Sequence, residues 1–285
     1  MSNTASATLR RVVAVAMLDF AARSTLRERR ENVVNPRELP RVGPISNPIH
    51  DFYGEYTDLS GKRLLCIGFT EDELRQYVAR YGPARITMLT NWVDHADAKI
   101  KSFPLVIGDI TRKTEFADDS FDSILTLSVL EHLSDVRAAF QEMVRLLKRG
   151  GEMLHMFGPA WSCAYGHHIY ADSSDPLLNF SLWDMPAHMH LLCSPDEIKR
   201  FYRDQGYPDT IGDTVLHWYY DTPIINREFY DEYIRIMSDQ CFQIDKMHLM
   251  YNELPRGHLA LLRKLHPGRN DFSTYGGRYR LVIRK

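Results

Sequence analysis

The chain has 285 residues, 44% of them hydrophobic, with 35 Lys and Arg against 37 Asp and Glu. That length supports one large domain, or a domain with a sizeable subdomain. The net charge of -2 and a pI near 6.6 give no field for nucleic acid or an anionic membrane, so neither is expected as a partner.

The first predicted element is the apolar run "VVAVAMLDFAA". It is too short to span a bilayer, lacks a small-residue cleavage site and is followed by "RSTLRERRE". It reads as an amphipathic helix within residues 1–30, with a signal peptide as the alternative. Such a helix packs on its own domain or on a second subunit, so a homodimer is one expected state. Residues 31–57 hold four prolines and predict an extended arm or lid. Cys66, Cys163, Cys193 and Cys241 are widely spaced with no CxxC pair. They predict free thiols in a reducing cytoplasm, with neither a disulfide framework nor a zinc knuckle.

An alternating block follows. Short apolar runs at 63–68, 85–90, 105–108, 123–128 and 152–157 predict strands covered on both faces. Helices fall between most of them. Thr70 to Glu73 is a T-x-x-E capping box, with Leu74, Tyr77, Val78 and Tyr81 as the apolar face behind it. Leu133, Val136, Phe140, Met143, Val144 and Leu147 recur at helical spacing, and Gly150 is the predicted helix end. Residues 158–193 are rich in aromatics and histidines without periodicity. Order returns with Ser194 as a cap, Pro195 at the first helical position and Gly206 as the stop. "TVLHWYY" predicts a sixth strand, 221–277 a mostly helical stretch with Phe229, Tyr230, Tyr233, Ile236 and Met237 on one face, and "RYRLVIRK" a final edge strand. The fold class expected is α/β: a doubly wound, mostly parallel seven-stranded sheet with helical additions near both ends. Its expected parts are a helix and arm at 1–57, a cofactor-binding core at 58–157 and a substrate-loop insertion at 158–193. The rest of the core spans 194–285, with a helical lid at about 221–277.

The block from Gly61 to Phe157 resembles the class I S-adenosylmethionine-dependent methyltransferases of the small-molecule type. The residues that carry the resemblance are Asp118, Asp119, Phe121 and Asp122 before the fourth strand, Glu131 and His132 after it, and the Gly150–Gly151 pair before the fifth. "VIGDIT" falls at the family's third strand end. The resemblance implies a Rossmann-like fold and S-adenosylmethionine as cofactor. It implies that Gly68, Phe69, Glu71, Asn91, Trp92, Asp109, Ile110 and Ser128 line the cofactor, with Asp109 and Ile110 against the adenine. Two positions depart from the family. The first loop has one glycine, in Gly68-Phe69-Thr70-Glu71, where two or three are usual. Asn91 also follows the second strand where an acid usually holds the ribose.

The chemistry of that loop discriminates between cofactors. A dinucleotide brings its pyrophosphate to a helix N-terminus. Glu71, Asp72 and Glu73 would repel it there, and no G-x-G-x-x-G is present. NAD and FAD are therefore not expected. A phosphate-free sulfonium cofactor tolerates an acidic rim.

Methyl transfer to a hydroxyl needs an aligned acceptor and a base, and neutral imidazole suits the second task near pH 7. His167 and His168 are the leading candidates, followed by His190 and His132. "HH" and "HMH" could also supply imidazoles to a metal, but their spacing matches no standard zinc motif and no metal is expected. Asn226, Arg227, Asn252 and Arg256 are read as ordinary loop and helix-end residues. The function expected is O-methylation of a small polar, glycan-like or natural-product intermediate. The competing reading is a methyltransferase-fold protein that binds without methylating and acts as a scaffold subunit.

Overall fold

In the computed structural model, residues 34–46, 56–91, 102–239 and 241–284 are described. The expected N-terminal helix, Trp92 and part of the proline-rich arm lie outside them. The strands are β1 (Arg63–Ile67), β2 (Arg85–Thr90), β3 (Leu105–Ile107), β4 (Phe121–Leu127), β5 (Leu147–Phe157), β6 (Phe242–Tyr251) and β7 (Thr274–Ile283). They form one seven-stranded sheet in the order β3-β2-β1-β4-β5-β7-β6. The first five are parallel neighbours, and β7 runs antiparallel to both β5 and β6.

Period-two alternation in the strands feeds the two faces of the sheet, which make up the first core. Leu65 and Ile67 join Ile124, Met153 and the inner faces of two helices, α2 (Val136–Leu146) and α5 (Tyr230–Met237). Leu64 and Cys66 point the other way, to Leu125, Leu154 and Leu74 of α1 (Glu71–Tyr81). Both faces of the sheet are thus covered, which is why its central strands carry no polar face. The capping box forms as the spacing predicts: the Thr70 hydroxyl accepts from Glu73 N–H, and Glu73 accepts from Thr70 N–H. Val78 is exposed, so the apolar stripe of α1 is narrower than expected.

A second apolar core lies beyond the sheet. It gathers Tyr165, Phe180, Met185 and Leu191 with α3 (Pro195–Asp204), α4 (Asp209–Leu216) and Leu262 of α6 (Arg256–Leu265). The proline-rich arm supplies Leu39 and Val42 to it, and Tyr165 donates its hydroxyl to the Val42 carbonyl. Residues 159–169 and 185–193 of the aperiodic histidine-rich segment are therefore packed interior, while residues 171–174 between them are exposed.

Four expectations need correction. "TVLHWYY" is not a strand: it ends α4 and continues as a π-helical turn, His217–Asp221. Val215, Leu216, Tyr219 and Tyr220 are buried, a helical stripe that β-branched and aromatic composition disguised. The sixth strand is β6, inside the stretch expected to be helical, and its polar alternation fits an edge. β7 is consequently internal, between β5 and β6. Finally, α2 stops at Leu146, and β5 begins at Leu147 with a bulge before Glu152.

Gly68 leaves β1 with φ of 83°. A Cβ there would lie 2.2 Å from the Leu127 carbonyl oxygen and 2.5 Å from a Val129 methyl. This glycine is therefore demanded by the close approach of the β1 loop to the end of β4. Gly68→Ala should destabilise the whole fold by roughly 2 kcal/mol or more through strain and overlap. Urea unfolding measures this, and a variant as stable as the parent would contradict the packing described.

Candidate active site

The sequence order of neighbouring strands reverses between β1 and β4. A doubly wound sheet opens a crevice at the carboxyl ends of its strands at such a point. The described members of the expected cofactor set all follow strand ends: Gly68, Phe69 and Glu71 after β1, Asn91 after β2, Asp109 and Ile110 after β3, and Ser128 after β4.

Their surroundings differ in kind. Ser128 has φ of 50° and donates its N–H to the Met156 carbonyl. Asn91 and Asp109 are half-buried, and one Asp109 oxygen accepts from the Thr111 N–H and hydroxyl. Ile110 is buried in the core under the sheet. Phe69 is buried and packs edge-on against Tyr77. Glu71 pairs with Arg75 at 2.6 Å. The first turn of α1 carries Glu71, Asp72 and Glu73, an electrostatic arrangement hostile to a pyrophosphate and compatible with a cationic, phosphate-free cofactor.

Beside the crevice stands a buried polar cluster. The chain leaving β4 turns through Leu130–His132, and the Glu131 carboxylate accepts the N–H of Gly158, the first residue after β5. Asn226 clamps the same turn: its N–H donates to the Glu131 carbonyl and its amide to the carbonyls of Leu130 and Leu133. His132 and His168 meet edge to face, with ring centroids 5.4 Å apart. Glu131, His132 and His168 are all buried. Burial pushes the Glu131 carboxyl up to about 8 and the His132 imidazole down to about 4. Burial next to His132 holds His168 well below its ordinary value. At neutral pH the 4.0 Å contact of Glu131 with His132 is therefore between a neutral acid and a neutral base.

Hydrogen bonds assign the tautomers. His132 Nδ1 lies 2.7 Å from the Ile224 carbonyl and His168 Nδ1 lies 2.8 Å from the Gly166 carbonyl. A carbonyl only accepts, so both Nδ1 atoms carry the proton and both Nε2 atoms present a lone pair. His167 is the reverse. Its Nδ1 accepts from Ile169 N–H at 3.2 Å, which leaves a protonated Nε2 and no lone pair for a substrate proton. His190 donates Nε2–H to the Trp161 carbonyl and packs edge to face within the second core against Trp161, His167 and Tyr219. Of the four histidines singled out in the sequence, His132 and His168 come together at the strand ends. His167 and His190 come together in the second core. Arg227 serves the backbone, donating to the carbonyls of Tyr219 and Thr222.

Sequence reasoning passed over Glu131 as a site residue, although it stood beside His132. What raises it is its burial and its bond to Gly158, both of which depend on the fold.

Residues 65–155 match a protein family described as a methyltransferase domain. The demethylmenaquinone methyltransferase of Roseiflexus castenholzii is 34% identical over 118 residues, 36% of this chain and 50% of that protein. Its namesake from Roseiflexus sp. strain RS-1 is 29% identical over 128 residues, 39% of this chain and 53% of that one. The chain thus spans about half the length of the curated relatives it matches. Among solved structures, an S-adenosylmethionine-dependent methyltransferase from Mesorhizobium loti aligns with 79% of this chain and 93% of its own, at 11% identity and a TM-score of 0.44.

The buried imidazoles set the pH dependence of stability. His132, His155, His167, His168, His188 and His258 all have lowered pKa values, chiefly from burial. Their contribution is present above pH 6.5 and is lost as pH falls toward 4, because the unfolded chain binds protons that the folded one refuses. Glu131, with its raised value, opposes them: its contribution is lost as pH rises toward 8. The melting temperature should therefore fall steeply between pH 6.5 and 4.5. His155→Gln should flatten that dependence by about 1.4 kcal/mol per pH unit, one proton's worth. A variant with the parent's slope would contradict the assignment.

Proposed function

We propose that this chain, whose residues 65–155 match a methyltransferase domain, is a class I S-adenosylmethionine-dependent enzyme that transfers a methyl group to a hydroxyl oxygen of a small polar molecule. The observation that carries the reading is the pairing of two features at one end of the sheet. One is the crevice at the β1–β4 reversal. The other is the buried cluster of Glu131, His132 and His168, tied to the ends of β4 and β5.

When bound, S-adenosylmethionine supplies an electrophilic methyl group on a sulfonium. Gly68 and Ser128 give backbone approach at the ends of β1 and β4. Asn91 offers one donor and one acceptor to the ribose, where a carboxylate would offer two acceptors, and Asp109 with Ile110 borders the adenine. The acids at the start of α1 keep phosphate-bearing cofactors away. His168 and His132 present lone pairs at Nε2, so either can accept the acceptor hydroxyl's proton as the carbon–oxygen bond forms. Both are held unprotonated at neutral pH because burial opposes their charging. The raised Glu131 acid beside them limits the build-up of negative charge at neutral pH.

The rival reading, binding without transfer, draws on Gly68 and Glu71. The glycine is occupied by packing against β4, and the acid is engaged by Arg75. Titration calorimetry with S-adenosylmethionine and S-adenosylhomocysteine, followed by labelled-methyl transfer to a panel of hydroxyl acceptors, separates the two. A demethylmenaquinone analogue belongs in that panel because of the relatives' names. The expected result is binding of both cofactor forms and transfer to oxygen. His168→Ala should lower transfer by about 100-fold or more with cofactor affinity unchanged. No binding of either form at millimolar concentration would refute the proposal, and binding with no turnover on any acceptor would favour the rival.

A further inference from the structure

We propose that Glu131, His132 and His168 form a binding site for one first-row divalent cation, with Zn2+ as the favoured ion. Three observations carry this. First, the Glu131 Oε2, His132 Nε2 and His168 Nε2 atoms are buried and make no hydrogen bond. One ligand atom from each residue lies within 4.8 Å of the others. Second, the bonds that assign the tautomers leave both imidazole Nε2 atoms as acceptors, and Glu131 becomes a third ligand when a cation displaces its proton. His132 and His168 spend their only N–H on backbone carbonyls, and Glu131 spends its other oxygen on Gly158 N–H. Two buried imidazole lone pairs without a donor cost free energy unless something electron-poor stands beside them. A single proton on Glu131 can serve only one of the two imidazoles.

Third, the supporting contacts are those a metal centre needs. An imidazole ligand is held by its other N–H on a carbonyl, which fixes ring orientation and raises basicity. Both imidazoles have that bond here. Asn226 grips the Leu130–Leu133 turn through three backbone contacts, and Tyr233 in turn donates to Asn226. Two imidazoles and one carboxylate suit Zn2+, with bonds of about 2.0–2.2 Å, and leave a fourth position open. Tetrahedral bonds of that length place neighbouring ligand atoms about 3.4 Å apart. The ligands come from two distant segments, so neither "HH" nor "HMH" is the motif. The two Nε2 lone pairs are either metal ligands or proton acceptors, so the ion-bound cluster is a different state from the one in which an imidazole serves as base. The cation site itself does not rest on the methyl-transfer reading.

The test uses the full chain without any cofactor. Protein is stripped with chelator, dialysed against Zn2+, and its metal content and melting temperature are measured. One ion per chain with a raised melting temperature is expected. Glu131→Gln and His168→Gln should lose affinity by about 100-fold or more, and Zn2+ should not raise their melting temperatures. His217→Ala, at an exposed position, should bind as the parent does. Should either site variant fail to fold, Co2+ absorption of the parent protein decides. Tetrahedral bands support the site, and the spectrum of hydrated Co2+ overturns it. A parent that retains no stoichiometric ion, or folded Glu131→Gln and His168→Gln proteins that retain as much as the parent, also overturns it. Because no methyl transfer is measured, failure here leaves the proposed activity standing, and failure of that activity leaves this site standing.

Discussion

One hydrogen bond ties the functional end of this molecule together: the Glu131 carboxylate accepts the N–H of Gly158. It joins the chain leaving β4 to the chain leaving β5. Since β4 also borders β1 at the reversal of strand order, it ties the buried cluster to the crevice. The bond sets Glu131 in a place where water cannot reach it. Burial then raises the acid and lowers the imidazole beside it. The neutral state of the cluster descends from that burial, while the Ile224 and Gly166 carbonyls set the tautomers of its histidines.

The cost of this arrangement falls on stability. A protein that needed only a fold would fill such a space with aliphatic side chains, since buried polar groups without full partners oppose folding. Here the sheet and the second core have ample apolar contact to offset it. Leu65, Ile124, Met153 and Met143 pack with essentially no exposure under the sheet, and a further core of aromatic side chains surrounds His167 and His190. The two histidine groups differ in chemistry. Those in the second core use their hydrogen bonds to knit backbone segments: His188 joins His258 to the Phe272 carbonyl. Those at the strand ends keep acceptors in reserve.

The parallel half of the sheet was legible because each strand is apolar on both faces and each helix between carries its own stop and start signals. The Thr70–Glu73 box is the clearest case, since its spacing alone dictates the bonds observed. The antiparallel half was not. β6 alternates polar and apolar residues as an edge does, and its charged positions read as helix surface. "TVLHWYY" has strand composition, but its buried residues fall on one helical face once α3 packs beside it. The four candidate histidines were legible as a group and not as individuals. Which ring nitrogen bears the proton depends on whether a carbonyl or an N–H lies opposite, and those partners come from residues such as Ile224, far along the chain. Gly68 teaches a related lesson. A lone glycine after β1 suggests a close backbone approach, and here the approach that forbids a Cβ is that of the Leu127 oxygen.

The central claim is that the crevice at the β1–β4 reversal is the cofactor site and that the Glu131 cluster lies beside its reactive end. A crystal structure with S-adenosylhomocysteine bound tests it most directly. The account predicts the ligand between the ends of β1 and β4, with its ribose toward Asn91, its adenine toward Asp109 and Ile110, and its sulfur on the side of His132 and His168. Ligand bound elsewhere, or bound in the crevice with its sulfur turned away from that cluster, would contradict it.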